Sequence, residues 1–175
     1  MKNQRQREVV NSTLHGLSHI FDLYKTATEY IKSKNQAAWP TFSKKLITKE
    51  IVENRQWKLL IDGKIACIWA TTLNDELIWG TKNNIPSLYI HRIAAHPDFR
   101  GQNLVKTLVA WANEFGKNQN LTYLRLDTVG LNIGLIKHYK KMGFEFLGSE
   151  RLKNTEGLPS HYAKGPVCYF QKDII

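Results

Sequence analysis

Ile93-Ala94-Ala95-His96-Pro97-Asp98-Phe99-Arg100-Gly101-Gln102-Asn103-Leu104-Val105-Lys106 is the stretch whose reading decides the fold. It closes an apolar run, Leu88–Ala95, that reads as a buried strand ended by His96-Pro97. It then opens a helix whose apolar positions Leu104, Val105, Leu108, Val109, Trp111, Ala112 and Phe115 recur at helical spacing to near Gly116. The physical content of such a strand, turn and helix is an anion site. The first turn of a helix has backbone N–H groups without intrahelical partners, and the dipole adds about half a positive charge there. A Gly-containing turn that leads straight into it makes a cradle for a pyrophosphate, and Arg100 and Lys106 add charge on either side of the helix start.

Outward from this stretch the chain alternates elements. Upstream, Val9 and Val10 close a short first strand, and Leu17, Ile20, Phe21, Leu23, Tyr24, Ala27, Tyr30 and Ile31 give a helix over 14–33. A second short helix is expected across Ser43–Asn54. Asp62-Gly63 between Trp57–Ile61 and Ile65–Thr71 is a strong hairpin signal. Thr72–Ser87 reads as a long or partly structured loop. Downstream, Leu121–Leu126 is a strand, Asn132–Met142 a helix stopped by Gly143, and Phe144–Leu147 and Val167–Gln171 the last strands. The expected fold is α/β (α+β): a mixed, mostly antiparallel sheet of about six or seven strands flanked by about four helices, with one parallel pair around the helix at 103–118. Strand alternation puts His91 on the face with Tyr89 and Ile93, opposite Ile90 and Arg92.

At 175 residues, 42% hydrophobic and 23% charged, the chain is expected to be a single domain, 1–175, with a core that needs no staples. Cys67 and Cys168 lie in apolar surroundings and show no Cys-x-x-Cys spacing, so neither a structural zinc nor any other metal is expected. Two reduced thiols, no signal-like apolar stretch in Met1–Ser12 and no membrane-spanning segment give a cytoplasmic expectation without a membrane partner. The formal charge of +10 attracts anions, but the basic residues are scattered, with pairs at Lys44-Lys45 and Lys140-Lys141 and no longer run. That pattern counts against a nucleic-acid binder.

From Ile90 to Phe146 the sequence resembles the GNAT superfamily of N-acetyltransferases. Ile93 to Gly101 resembles the strand and turn before that superfamily's acetyl-CoA motif. Leu124-Arg125-Leu126-Asp127, Asn132 seven residues before Tyr139, and Tyr139-Lys140-Lys141-Met142-Gly143-Phe144 resemble its second half. One departure stands out: Asn103 and Val105 occupy the two positions where the superfamily's phosphate turn carries small residues. Asn tolerates the left-handed region next best after Gly, and Val105 already lies in the helix.

The resemblance implies an acetyl-CoA-dependent N-acetyltransferase acting on a primary amine of a small molecule or peptide by direct attack on the thioester. Acetyl-CoA is then a co-substrate held between splayed parallel strands. Its pantetheine would run beside Ile93, Ala94 and Ala95, its pyrophosphate on amides from Gly101 through Gln102, Asn103, Leu104 and Val105 to Lys106, and Asn132 would touch the pantetheine arm. Tyr139 would donate to the departing sulfur, although a purely packed aromatic stays open. For the base, His91 and Glu76 are both candidates, and His161-Tyr162 could cover the acceptor. A non-catalytic acyl-CoA-binding module of the same fold is the rival reading. The oligomeric state is left open, a homodimer included.

Overall fold

The computed structural model describes residues 5–175; the first four residues of the basic Met1–Ser12 stretch lie outside it. Its elements follow in the order β1 (Arg7–Asn11), α1 (Leu17–Ser33), α2 (Lys44–Val52), β2 (Gln56–Ile61), β3 (Lys64–Thr72), α3 (Glu76–Trp79), β4 (Ser87–Ala95), α4 (Leu104–Asn118), β5 (Tyr123–Val129), α5 (Ile133–Lys141), β6 (Glu145–Glu150) and β7 (Val167–Asp173). Among the described residues the strands form one seven-stranded sheet in the order β1-β2-β3-β4-β5-β7-β6, antiparallel throughout except for β4 and β5. None of the helices is long and apolar enough to cross a membrane.

Local chemistry explains the punctuation. Asp62 and Gly63 both take positive φ, +50° and +77°, as a two-residue hairpin turn with the twist of its flanking strands demands. Ser43 caps α2 by accepting from the Leu46 amide, and Asn132 caps α5 by accepting from the Leu135 amide. The expected loop over Thr72–Ser87 is partly helical, with α3 and a 3-10 turn at Gly80–Asn84.

The core has two sides. Leu88, Ile90, Leu124, Leu126 and Phe170 pack under α4 and α5 with Leu108, Ala112, Tyr139 and Phe144. On the opposite face, Ile68 and Ala94 pack under α1 and α2. Beside them, Tyr89, Val167 and Tyr169 gather Ile78, Trp79 and Tyr162. Each such fully buried side chain contributes about 1.5–3 kcal/mol, so these layers hold the sheet rigid under the site.

One expectation is corrected. The alternation along β4 does not run unbroken through Arg92. Pairing with β3 steps from Ala70↔His91 to Ile68↔Ala94, so β4 carries one residue more than its partner, and Arg92 sits at φ +52°. This β-bulge shifts the later residues by one face. Ile93 therefore packs on the α4 and α5 side with Ile90, whereas Arg92 turns to α1 and α2.

Candidate active site

β4 and β5 pair in parallel from Ser87↔Tyr123 to Ile90↔Leu126 and then part. Beyond that point β4 remains paired to β3, with Cys67↔Ala95, and β5 to β7, with Asp127↔Tyr169. The edge of β4 from His91 to Ala95 that faces β5 thus lacks a strand partner and can accept an extended ligand by strand addition. The bulge lies at the mouth of this fork. Its Arg92 guanidinium reaches back into the fold, donating to Glu50 Oε1 at 2.6 Å and to the Tyr24 hydroxyl at 3.3 Å, and lies over the Phe42 ring. Tyr24 in turn donates to Gln56 Oε1 at 3.1 Å. Burial works against the guanidinium, but Tyr24 and Glu50 hold it firmly charged. The unusual backbone at Arg92 is therefore over-determined by its side chain.

His91 points the other way, toward α3. Its Nε2 lies 3.0 Å from Asp75 Oδ2 and its Nδ1 3.9 Å from Asp127 Oδ1. Asp127 is next in register after Leu126, where the strands separate. Its other oxygen accepts a 2.7 Å hydrogen bond from Tyr162. The acids lie behind the imidazole: the His91 side chain is 19% exposed, Asp75 11% and Asp127 1%. Asp75 Oδ2 and Asp127 Oδ1 are buried without an aligned hydrogen-bond donor, as is His161 Nδ1 close by. Buried polar atoms are rarely left so, and a group of them marks a place built for something else.

Burial disfavours the His91 imidazolium, yet contact with Asp75 and the charges of Asp75 and Asp127 outweigh it, so its pKa is raised. Burial likewise pushes the Asp127 carboxyl up to about 6, with His91 opposing and Asp75 reinforcing. His161 is lowered to about 4 by burial and nearby Lys164, so it stays neutral. A partly exposed imidazole between two acids, first past the last β4–β5 pair, can move a proton.

The turn before α4 is as expected and gains one member. Gly101 takes φ +78°, and the space its missing side chain leaves is open. Asn103 adopts the left-handed region at φ 55° and ψ 37°, and its side chain makes no capping bond. Leu104 is buried, Val105 leans on the core and Lys106 is exposed. The Arg100 guanidinium stacks 4.2 Å over the Tyr30 ring of α1. Arg7, nearly a hundred residues away on β1, donates to the Gln102 carbonyl at 2.8 Å and to the Thr107 hydroxyl. The cradle thus carries a cation that no local motif could signal. The Gln102 amide donates to the Phe99 carbonyl at 3.3 Å, but the other amides from Gly101 to Lys106, open space at Gly101 and three cations suit a diphosphate.

Tyr139 is buried on α5 with its ring against Phe144 and Phe170. Burial pushes its phenol above its ordinary range, with Cys67 and Asp127 adding to the effect. Asn132 caps α5 through its carbonyl oxygen, which leaves its amide N–H groups free for a ligand. Glu76 is exposed at the start of α3; its neighbour Asp75 is the acid that meets His91. Tyr162 lies against Asp127, as a loop covering an acceptor would. Ile93 to Ala95 with the α4 turn, and His91 with Asp75, Asp127 and Tyr162, thus form two clusters at one fork.

Residues 20–144 match the acetyltransferase (GNAT) family, and the chain belongs to that family. The uncharacterized N-acetyltransferase YesJ of Bacillus subtilis (strain 168) is 34% identical over 76 residues, which cover 43% of this chain and 42% of that protein. An acetyltransferase of the GNAT family from Listeria monocytogenes 4b F2365 shares the fold at a TM-score of 0.77 and 19% identity, covering 97% of this chain and 99% of that one. The ribosomal-protein-S18-alanine N-acetyltransferase of Escherichia coli does so at 0.67 and 16%, covering 97% and 94%.

Proposed function

We propose that the protein transfers the acetyl group of acetyl-CoA to a primary amine of a small molecule or peptide by direct attack on the thioester. The observation that carries this reading is His91, partly exposed just past the last β4–β5 pair and flanked by Asp75 and Asp127. Amides from Gly101 to Lys106, with Arg100, Lys106 and Arg7, bind the diphosphate. The free edge of Ile93–Ala95 aligns the pantetheine, and Asn132 steadies its arm.

An alkyl amine has a pKa near ~10.4, so at neutral pH about one part in a thousand or less is ready to attack. His91 takes one proton from the ammonium to free its lone pair, and the nitrogen's second proton passes to the departing thiolate once the N–C bond has formed and the C–S bond has broken. A backbone amide of β4 at the bulge receives the developing oxyanion, held there by the Arg92 anchor. CoA leaves as its thiolate, and the Tyr139 hydroxyl donates a hydrogen bond to it. A phenol raised above its ordinary range is a poor acid, so Tyr139 stabilises the thiolate and does not protonate it.

The test is thiol release from acetyl-CoA over a panel of amines, with wild type beside His91→Gln. Amine-dependent release that falls about a hundredfold or more in the variant is the expected result. No release with any amine would refute the reading.

A further inference from the structure

Resting on that reading, we infer that the acceptor is an unbranched aliphatic amine that enters as its ammonium and is received between Asp75 and Asp127. The two acids are the reason. Once His91 is neutral, as a base must be, no cation among the described residues answers them. Arg92 is committed to Glu50. Arg125 is buried under the rings of Trp79, Tyr89 and Tyr123 and donates to Gln171 Oε1, the Lys82 carbonyl and the Tyr89 hydroxyl. His161 is neutral, and Tyr162 occupies only Oδ2 of Asp127. Two acids this deep are costly unless something positive joins them.

Geometry narrows the occupant. One atom each from Asp75, His91 and Asp127 lies within 4.8 Å of the others. Within that group the two ring nitrogens meet different acids, Nε2 at 3.0 Å from Asp75 Oδ2 and Nδ1 at 3.9 Å from Asp127 Oδ1. An alkylammonium beside Asp127 has one N–H for the orphaned Oδ1 and one for the imidazole Nδ1, with the Asp75 carboxylate close enough to share its charge. The N–H at the imidazole carries the proton that His91 removes to free the lone pair, and the nitrogen's second proton passes to the departing thiolate, so binding and activation share one geometry.

The walls add shape. Ile78, Trp79, Tyr89, Tyr162 and Tyr169 form one apolar, aromatic cluster on this face, suited to methylenes and to a nearby cation. With the acids nine-tenths covered and reached past a partly buried imidazole, a slender –CH2–NH3+ end fits. An α-branched amine does not, and an arylamine brings no charge. A free alkylamine and a lysine side chain share this chemistry.

The test uses the full chain with acetyl-CoA and four acceptors: n-butylamine, Nα-acetyl-lysine amide, alanine amide and aniline. The inference expects the first two to exceed the last two in kcat/KM by about a hundredfold. A preference for n-butylamine marks a small-molecule source, a preference for the blocked lysine a peptide source, and both support the class. A second readout needs no turnover. n-Butylguanidinium, a fixed cation, should bind at least about tenfold tighter than n-butanol, and Asp75→Asn or Asp127→Asn should erase that difference while CoA affinity stays unchanged.

Preference for aniline or alanine amide overturns the inference and leaves amine acetylation standing. No thiol release with any of the four refutes the acetylation itself, and the guanidinium comparison still judges the cation site. Equal binding of the guanidinium and the alcohol, or loss of alkylamine turnover with EDTA and its return with Mn2+, also overturns the inference.

Discussion

His91 and Arg92 are consecutive residues of one strand, each meeting buried carboxylate, and the two clusters could hardly differ more. On the Arg92 side the bonding is complete: guanidinium, Glu50, Tyr24 and Gln56 form a closed network, with Arg55 a further 4.0 Å from Glu50. On the His91 side two carboxylate oxygens are buried with no aligned donor. A satisfied network fixes a shape; an unsatisfied one waits for a ligand. The bulge makes both possible, because the extra residue lets neighbours 91 and 92 serve the same face of the sheet in different directions. On the proposed reading the Arg92 cluster is the support and the His91 cluster the working part.

The sharpest way to break this contrast is to remove one acid from each. Glu50→Ala leaves Arg92 buried and unpaired, which costs about 3–5 kcal/mol. At about 2–4 °C per kcal/mol for a chain this size, the melting temperature should fall by roughly 6–20 °C. Asp127→Asn should do the reverse at pH 7.5. The folded Asp127 carboxyl sits at about 6, above its unfolded value near ~3.9, so its favourable contribution exists below the unfolded pKa and is lost as pH rises through 6. Removing the charge should leave the melting temperature equal or a few degrees higher, while acetyl transfer is lost. Thermal melts of both variants at pH 7.5 and pH 5 check the signs, and the gain from Asp127→Asn should shrink at the lower pH.

Tyr139→Phe sharpens the boundary between packing and chemistry. The ring keeps its contacts with Phe144 and Phe170 and only the hydroxyl goes. A hydrogen bond to a charged group is worth about 1.5–3 kcal/mol, so kcat should drop about ten- to hundredfold. CoA affinity and melting temperature should barely move. The smallest effect belongs to Asn103→Gly. Asn103 already holds φ 55° with its side chain uncommitted, so calorimetry should find CoA affinity equal or slightly better.

Much of this was legible in the sequence, and the illegible parts share a cause. The hairpin at Asp62-Gly63, the capped helices after Ser43 and Asn132, and the strand, turn and helix over 88–118 are local events with local signals. Even the substitution at Asn103 was readable, because left-handed tolerance belongs to the residue itself.

The bulge was not readable. Nothing in Ile90-His91-Arg92-Ile93 announces an extra residue, and what stabilises it comes from α1 and α2. Asp75 was hidden by its neighbour: one residue along a single helical turn decides which acid faces His91 and which, Glu76, faces water. Asp127 was visible as part of a resemblance but acquired a role only through register, as the first residue past the last β4–β5 pair. Arg7 reaches the turn across 95 residues of sequence.

The claim that matters most is that His91 is the base. Its pKa is raised, so kcat/KM must rise with pH as the imidazolium loses its proton, with a midpoint above ~6.5. The decisive measurement is the pH dependence of kcat/KM for wild type and His91→Gln, with CoA affinity measured on the same preparations. The account predicts that His91→Gln lowers kcat/KM by about a hundredfold or more and removes that rising limb while CoA affinity stays within about twofold. A variant that keeps both the wild-type rate and the wild-type rise would contradict it.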